Sequence, residues 1–181
     1  LTRFPVDDRL PLKGEAAEIV VVDLESGESK VVDRTLAWDT QLGAQVQWGR
    51  NDAELVYNVQ SEQAPIIRGR VTNPATGEKR DLAGEVYMVS AVRGEAISAS
   101  LLHMGQKQPG YGAHWAGAEE WKKGSASEIG ITITPLDGGP SRMIITIADV
   151  LEQFPELRNE GGAYVLFHTK WNPQGTRIMV C

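Results

Sequence analysis

Short runs of apolar and β-branched residues alternate with polar turns along the whole chain. Three of the turns share one form, because each opens on Asp, Asn or Pro and has a glycine near its end. They span residues 23–28, 73–78 and 135–140, and strand-like runs precede them at 18–22, 66–71 and 129–134. Glycine readily adopts the positive φ angle that a tight turn requires, so the pattern predicts three hairpins.

A second kind of hairpin follows each of the first. Its strands are 46–48 with 55–59, 86–89 with 96–101, and 165–171 with 177–180. In the last of these, Pro173 and Gly175 stand at places that favour a type I turn and its exit. The two hairpin forms therefore alternate, and the turn glycines Gly27, Gly77 and Gly138 mark the repeat.

Units of two successive hairpins are typical of the four-stranded antiparallel blades of a β-propeller. We therefore predict an all-β fold with blade-like units at about 18–60, 66–101 and 129–181, within one partial propeller domain, 1–181. A two-sheet sandwich is the alternative, but it gives no reason for the paired turns to recur. Closed propellers have about four to eight blades, and this chain has three to four. We expect a ring of seven blades, which the remaining propeller segment or another chain closes.

One helix is predicted inside the third unit, from about residue 147 to 157. Its apolar residues Ile147, Val150, Leu151 and Phe154 have helical spacing. Pro155 indicates that the helix ends or kinks near Phe154. The apolar stripe is explained most simply as a cover for the sheet.

Composition narrows the class of protein without naming a function. The 181 residues are 41% hydrophobic and carry a net charge of -6, which disfavours non-specific binding to nucleic acid. No apolar run approaches the ~20 residues of a membrane span. Cys181 is the only cysteine, so no intrachain disulfide forms. The chain opens on Leu1 rather than Met and shows no signal peptide, so we expect a preceding segment and a periplasmic or secreted location.

The connection at 102–128 is longer than the ~12 to 15 residues usual for a simple loop. Three aromatic residues, Tyr111, Trp115 and Trp121, accompany His103 and His114 in it. In a propeller such a loop folds over the mouth of the central channel, where its polar groups meet. The alternative is a loop whose tryptophans only cover the end of a blade.

The three histidines are His103, His114 and His168, and none of them lies in a hairpin of the first kind. Three imidazoles can bind zinc or manganese, but no pair here has the close spacing of a helical metal motif. Any metal site would therefore be assembled by the fold. No serine elbow, phosphate loop or dinucleotide fingerprint is present in the sequence.

Several of these stretches resemble bacterial β-propeller proteins with TolB-like repeats, of the oligogalacturonate-lyase and ulvan-lyase type. The resemblance covers most of residues 18–181 and is carried by 23–27, 102–103, 109–112 and 171–175. It implies that His168, just before the Asn-Pro-Gln-Gly turn, is a ligand of a divalent metal such as Zn, Mn or Ca. Around the long loop, where many such proteins have arginines, this chain has Gly105, Lys107 and Gln108.

The resemblance implies β-elimination on an acidic polysaccharide or oligosaccharide that contains uronate. Such a site needs a base, an acid and a group that neutralises the uronate carboxylate. The catalytic candidates are His103, Tyr111, His114 and Lys107. The alternative is a non-catalytic propeller that binds a glycan or a protein, with Trp115 and Trp121 beside Tyr111 as a stacking platform.

Overall fold

The computed structural model describes residues 1–6, 8–9, 12, 14–60, 66–113, 127–160 and 164–181. Within these ranges the chain is all-β, as predicted, with four antiparallel sheets and two α-helices. The strands are β1 (Thr2–Arg3), β2 (Ala17–Val22), β3 (Ser29–Thr35), β4 (Gln47–Trp48), β5 (Leu55–Gln60), β6 (Ile67–Thr72), β7 (Lys79–Asp81), β8 (Met88–Ser90), β9 (Glu95–Ala99), β10 (Gly130–Pro135), β11 (Arg142–Thr146), β12 (Lys170–Trp171) and β13 (Ile178–Met179). The helices are α1 (Leu101–Lys107) and α2 (Ile147–Gln153).

Within each sheet, every strand pairs with its neighbour in sequence, so the three larger sheets are meanders. Sheet 1 contains β1 to β3, sheet 2 contains β4 to β7, sheet 3 contains β8 to β11, and sheet 4 contains β12 and β13. The prediction of four-stranded antiparallel sheets made of two hairpins is therefore confirmed for sheets 2 and 3.

The sheets begin one hairpin later in the chain than the predicted units. The predicted unit 18–60 contains β2 to β5, whereas sheet 2 contains β4 to β7. The hairpin β2–β3 and the hairpin β4–β5 lie in different sheets, and β5 pairs instead with β6 along its whole length, from Leu55 opposite Thr72 to Gln60 opposite Ile67. The spacing of the turns shows how often the repeat recurs. It does not show which two hairpins share a sheet, because the hydrogen bonds between hairpins do not involve the turn residues.

Two of the repeated turns have the same hydrogen bonds. The Asp23 carboxylate accepts from the amides of Glu25 and Ser26 at 3.0 and 2.7 Å, and the Asn73 side chain does the same two and three residues downstream. Gly27 and Gly77 close these turns at φ values of 75° and 79°. The predicted use of glycine at positive φ is confirmed there.

Buried residues from neighbouring sheets form the core between them. Ile19, Trp38 and Tyr57 pack between sheets 1 and 2, while Val56, Val86 and other aliphatic residues pack between sheets 2 and 3. The first strand of sheet 3, β8, contacts the first strands of both neighbouring sheets, β4 and β12. The first strands of three consecutive sheets therefore lie side by side.

A glutamine side chain fixes the contact between β4 and β8. Gln47 Nε2 donates to the carbonyl oxygen of Tyr87, and Gln47 Oε1 accepts from the amide of Val89, both at 2.9 Å. The same side chain also donates to the carbonyl of Gln45 at 3.1 Å. Sheet 3 is linked to sheet 4 by the guanidinium of Arg93, which lies 5.3 Å from the ring centre of Trp171.

The two helices lie in connections between strands. α2 matches the predicted helix, since Thr146 and Asp149 cap its start, Phe154 ends it, and a 3-10 helix follows at Pro155–Glu160. α1 was not predicted, because the start of the long connection was interpreted as strand and loop. Neither helix in the described ranges is long and apolar enough to cross a membrane.

Candidate functional site

Four connecting segments meet in one hydrophobic cluster. They are the chain after β3, the chain before β8, the stretch from α1 to Ala113, and the chain before β12. Their buried members include Ala37, Tyr87, Leu102 and Met104, against which Tyr111, Leu166 and Phe167 pack. The cluster joins the connections that precede sheets 2, 3 and 4 to the segment that begins with α1. Functional groups are often found in such loops, which a rigid scaffold holds in position.

Three aromatic residues surround His168 at the surface of this cluster. We call Tyr87, Tyr111, Phe167 and His168 the Tyr–His cluster. The ring of His168 stands nearly perpendicular to that of Phe167, with centroids 4.1 Å apart, and lies 6.3 Å from both tyrosine rings. Each pair has the edge-to-face arrangement that aromatic rings favour.

The backbone of His168 is unusual, because its φ angle is +50°. Few residues other than glycine adopt a positive φ, and those that do are concentrated at functional sites. The predicted strand 165–171 is shortened for this reason, and β12 begins only at Lys170. Nδ1 of His168 is held by a hydrogen bond of 2.9 Å to the hydroxyl of Tyr87. The imidazole is therefore fixed by its backbone, by its ring contacts and by one nitrogen.

Tyr111 lies in the predicted bend at 109–112, which the structure confirms as a turn. Its ring is 4.9 Å from that of Phe167, and its amide donates to the carbonyl of Gln108 at 3.2 Å. Gly112 follows at a φ of +73°, and a Cβ there would lie 2.2 Å from the carbonyl oxygen of Leu101. Only glycine fits this close approach, so α1 and the turn position the Tyr111 ring together.

Asp39 is a buried carboxylate beside this cluster. Its Oδ1 accepts from the amides of Gln41 and Leu42 at 2.9 and 2.5 Å. Its Oδ2 is buried and has no hydrogen-bond partner among the described residues. Burial raises the pKa of Asp39 to about 6, against the opposing effect of nearby backbone amides that include that of Gly112.

The pKa of Tyr87 is also raised, first by burial and then by the nearby carboxylate of Asp39. Its hydroxyl therefore keeps its proton at neutral pH. The connection that contains Tyr87 also holds a second perturbed carboxyl group, because burial raises the pKa of Glu85 to about 8. The amide of Leu101 donates to Glu85 at 2.6 Å, so this group is attached to the start of α1.

The structure brings two of the predicted site residues together, Tyr111 and His168. His103 lies on α1, and its Nε2 is 3.1 Å from the carbonyl oxygen of Tyr164. Within the described part of the chain, the ring contacts of Tyr111 and His168 do not include His103. Lys107 is exposed in the last turn of α1. His114, Trp115 and Trp121 lie outside the described residues.

Two members of the site were missed in the sequence, Asp39 and Tyr87. Each lies in a connection that precedes the first strand of a sheet, Asp39 before β4 and Tyr87 before β8. His168 occupies the corresponding connection before β12. A search of these three equivalent connections for polar and aromatic residues would have found them. The prediction concentrated instead on the longest connection, because length is the stronger signal for a functional loop.

The predicted divalent metal at His168 needs further ligands. In the ranges that the structure describes, no group of three or more His, Cys, Asp or Glu side chains is placed to hold a metal ion. Nδ1 of His168 is moreover already bonded to Tyr87. The described residues do not fit a metal centre, so the metal stays a prediction and no chemical step is derived from it.

Comparison with known proteins adds no family to this description. The chain matches no family model, and no curated protein and no solved structure matches it. Its function is therefore argued from the geometry of the site.

Proposed function

We propose that the sheets are blades of a β-propeller and that the Tyr–His cluster lies at the mouth of its central channel. The order of the strands within sheets 2 and 3 supports this, as does the contact of β8 with β4 and β12. In a propeller the first strand of each blade lines the channel, and the connection before it opens at one end. The chain supplies part of a ring of about seven blades, which a further segment or another chain closes.

At this mouth the Tyr–His cluster acts on a uronate-containing glycan by β-elimination. The hydrogen bond between Tyr87 and Nδ1 of His168 is the observation that carries this proposal. A histidine held at one nitrogen presents the other in a defined direction, as a general base must be. The ring of Tyr111, 6.3 Å from that imidazole between centroids, brings a second proton-transfer group to the same place.

The roles follow from the tautomer. When Nδ1–H of His168 donates to the Tyr87 hydroxyl, Nε2 has a free lone pair and accepts the proton from C5 of the uronate. The electron pair of the C5–H bond forms the C4–C5 double bond, and the bond from C4 to the glycosidic oxygen breaks. The Tyr111 hydroxyl protonates the leaving oxygen, and water then returns a proton from His168 to Tyr111.

The uronate carboxylate must be neutralised before its C5 proton becomes acidic. Below about pH 6 the buried Asp39 is largely in its neutral form, which donates a hydrogen bond. Above that pH the carboxylate would repel the substrate. Lys107, on the exposed end of α1, is the other candidate for this task. If Asp39 performs this task, activity falls as Asp39 loses its proton.

Binding without catalysis is the second candidate. Two observations favour it: in the described ranges no Lys or Arg is hydrogen-bonded to the Tyr–His cluster, and the whole chain has a net charge of -6. An anionic substrate would then gain little at this site. The aromatic rings of Tyr111 and Phe167 would instead pack against the apolar face of a neutral sugar or of a protein side chain.

The absorbance of the unsaturated uronate product distinguishes the two functions. The chain, completed to its full propeller, is incubated with polygalacturonate, ulvan and alginate. We expect product from at least one of them and a loss of about 10²-fold or more in His168→Asn and in Tyr111→Phe. Asn tolerates the positive φ at position 168, so this variant should fold.

Tyr164→Phe is the matched control. It also removes one phenolic hydroxyl, but that of Tyr164 is buried and has no hydrogen-bond partner among the described residues. Its turnover should equal that of the parent chain. Glycan binding that persists with no product from any substrate would favour the binding function and reject the elimination.

A further inference from the structure

A cavity whose lining includes no member of the Tyr–His cluster lies between sheet 1 and sheet 2. It has a volume of about 470 Å³, in the range of sites for small molecules. The end of β3 forms one side and β5, β6 and β7 form the other. We call this cavity the inter-sheet groove. The function proposed above does not use it.

The described lining of the groove contains three arginines, Arg34, Arg68 and Arg70, and one carboxylate, Asp81, in a chain that is acidic overall. Arg70 is neutralised, because it donates to both carboxylate oxygens of Asp81, at 2.5 and 3.1 Å, and to Asp33 at 3.2 Å. Lys79 also binds Asp33, at 2.7 Å. These two cations and two carboxylates cancel one another, so Arg70 contributes no net charge to the groove.

The remaining cations of the groove are not balanced. Arg34 donates to Glu18 at 2.9 Å, but Glu18 also holds the guanidinium of Arg3, so one carboxylate serves two arginines. The exposed Arg68 has no hydrogen bond or ion pair with any other described residue. Among the described residues, two positive charges therefore remain, one on Arg68 and one shared by Arg34 and Arg3, which both bind Glu18.

Other groups in the groove suit a hydroxylated ligand. Oε1 of Gln60 is buried without a hydrogen-bond partner in the described part of the chain, and it can accept from a ligand hydroxyl. Val59 and the exposed Ile66 give an apolar surface for the C–H face of a sugar ring. A guanidinium group matches the planar geometry of a carboxylate with two parallel hydrogen bonds.

We propose that the inter-sheet groove binds an acidic sugar, whose carboxylate pairs with Arg68 and Arg34 and whose hydroxyl donates to Gln60. The ligand can be a free monosaccharide or the end of a longer acidic glycan, since both present the same chemistry. This site is separate from the Tyr–His cluster, and its existence does not depend on elimination there.

Calorimetric titration of the full chain with glucuronate tests the groove. We expect Arg68→Gln to weaken binding at least about 10-fold, and 0.5 M salt to weaken binding to the parent chain in the same direction. Arg142→Gln is the matched control, because Arg142 is an exposed strand residue outside the groove. Its affinity should equal that of the parent chain. Circular dichroism melting of both variants verifies that they are folded.

Three further ligands separate the contributions. Glucose, which lacks the carboxylate, should bind at least about 10-fold more weakly, and acetate, which lacks the ring, should bind weakly as well. A uronate oligosaccharide that binds more tightly than glucuronate identifies a glycan end rather than a free sugar as the ligand. Glucose binding as tight as that of glucuronate would overturn the proposal.

The His168→Asn variant keeps this test apart from the proposed elimination. Arg68→Gln should weaken glucuronate binding by the same factor in the parent chain and in His168→Asn, whatever His168→Asn does to product formation. If glucuronate binding is lost in His168→Asn and retained in Arg68→Gln, the ligand belongs to the Tyr–His cluster and the groove proposal is wrong.

Discussion

The hydroxyl of Tyr87 lies 2.9 Å from Nδ1 of His168, although the two residues are 81 positions apart in the chain. Tyr87 precedes β8 and His168 precedes β12, so the bond joins equivalent connections of two consecutive sheets. Gln47 joins sheet 2 to the same tyrosine through its backbone carbonyl. Contacts between sheets and the geometry of the site are thus set by the same residues.

Tyr87→Phe should test the positioning of His168. Removal of the hydroxyl frees Nδ1, so both imidazole tautomers become accessible and the fraction with a basic Nε2 changes. We expect a small loss of stability, about 1 kcal/mol, together with a shifted pH profile of product formation. Stopped assays between pH 5 and pH 9 measure the profile. An unchanged profile would show that Tyr87 has only a structural role, and Tyr164→Phe serves as the control.

Glu85→Gln should change how stability depends on pH. Burial raises the pKa of Glu85 from an ordinary 4.5 to about 8 in the folded chain. Between these values the unfolded chain has released this proton while the folded chain retains it. Stability therefore falls as pH rises from about 4.5 to 8 and levels off above that. Glutamine removes the titration and still accepts from the amide of Leu101.

The measurement is urea unfolding of both chains at pH 5 and pH 8. We expect Glu85→Gln to be more stable than the parent chain at pH 8 by about 1 kcal/mol or more, and the two to differ less at pH 5. Glu152→Gln, an exposed change on α2, should have the same effect at both pH values. An equal difference at the two pH values for Glu85→Gln would contradict the raised pKa.

The sequence predicted the local structure of this chain better than its contacts. Hairpins at Gly27 and Gly77 were predictable because a turn is decided by a few adjacent residues. The end of α2 at Phe154 was predictable because Pro155 restricts the residue before it. α1 was missed, since it has only seven residues and its cap, Ser100, stands directly after a strand.

The candidate site was predictable only in part. Tyr111 stood out because of the Pro-Gly-Tyr-Gly turn, and His168 because of the turn that follows it. Asp39 gave no signal, since its importance comes from burial beside Tyr87, which only the packing of three sheets creates. The positive φ of His168 was likewise hidden, because no glycine or asparagine marks the position.

Gln47→Ala should weaken the contact between sheets 2 and 3. The change leaves the carbonyl of Tyr87 and the amide of Val89 without the partners that they have at 2.9 Å. Each unsatisfied buried group costs about 1 to 3 kcal/mol, so we expect a loss of stability in that range or above it. Thermal melting measures it, and Gln153→Ala, at the exposed end of α2, should have little effect.

Hydrogen exchange adds a local readout for the same variant. The amide of Val89 should exchange faster in Gln47→Ala, whereas amides in the hairpin β2–β3 of sheet 1 should be protected as before at low denaturant. Uniformly faster exchange throughout the chain would indicate global destabilisation and reject a specific role of Gln47 between the two sheets.

Gly112→Ala should reduce stability and displace the Tyr111 ring more than the addition of one methyl group usually does. Gly112 has a φ of +73°, and a Cβ there would lie 2.2 Å from the carbonyl oxygen of Leu101 and 2.7 Å from the amide nitrogen of Gly105. Both are backbone atoms of α1 and cannot turn aside as a side chain can.

Gly77→Ala is the matched control, because Gly77 has a similar φ of +79° but no atom within 4 Å of the added Cβ. The control measures the cost of the backbone conformation alone, about 1 kcal/mol. We expect Gly112→Ala to lose at least about 2 kcal/mol more in urea unfolding and to shift the aromatic signals of Tyr111 and Phe167 in NMR spectra. Equal losses in the two variants would show that α1 and the Tyr111 turn do not approach each other as closely as described.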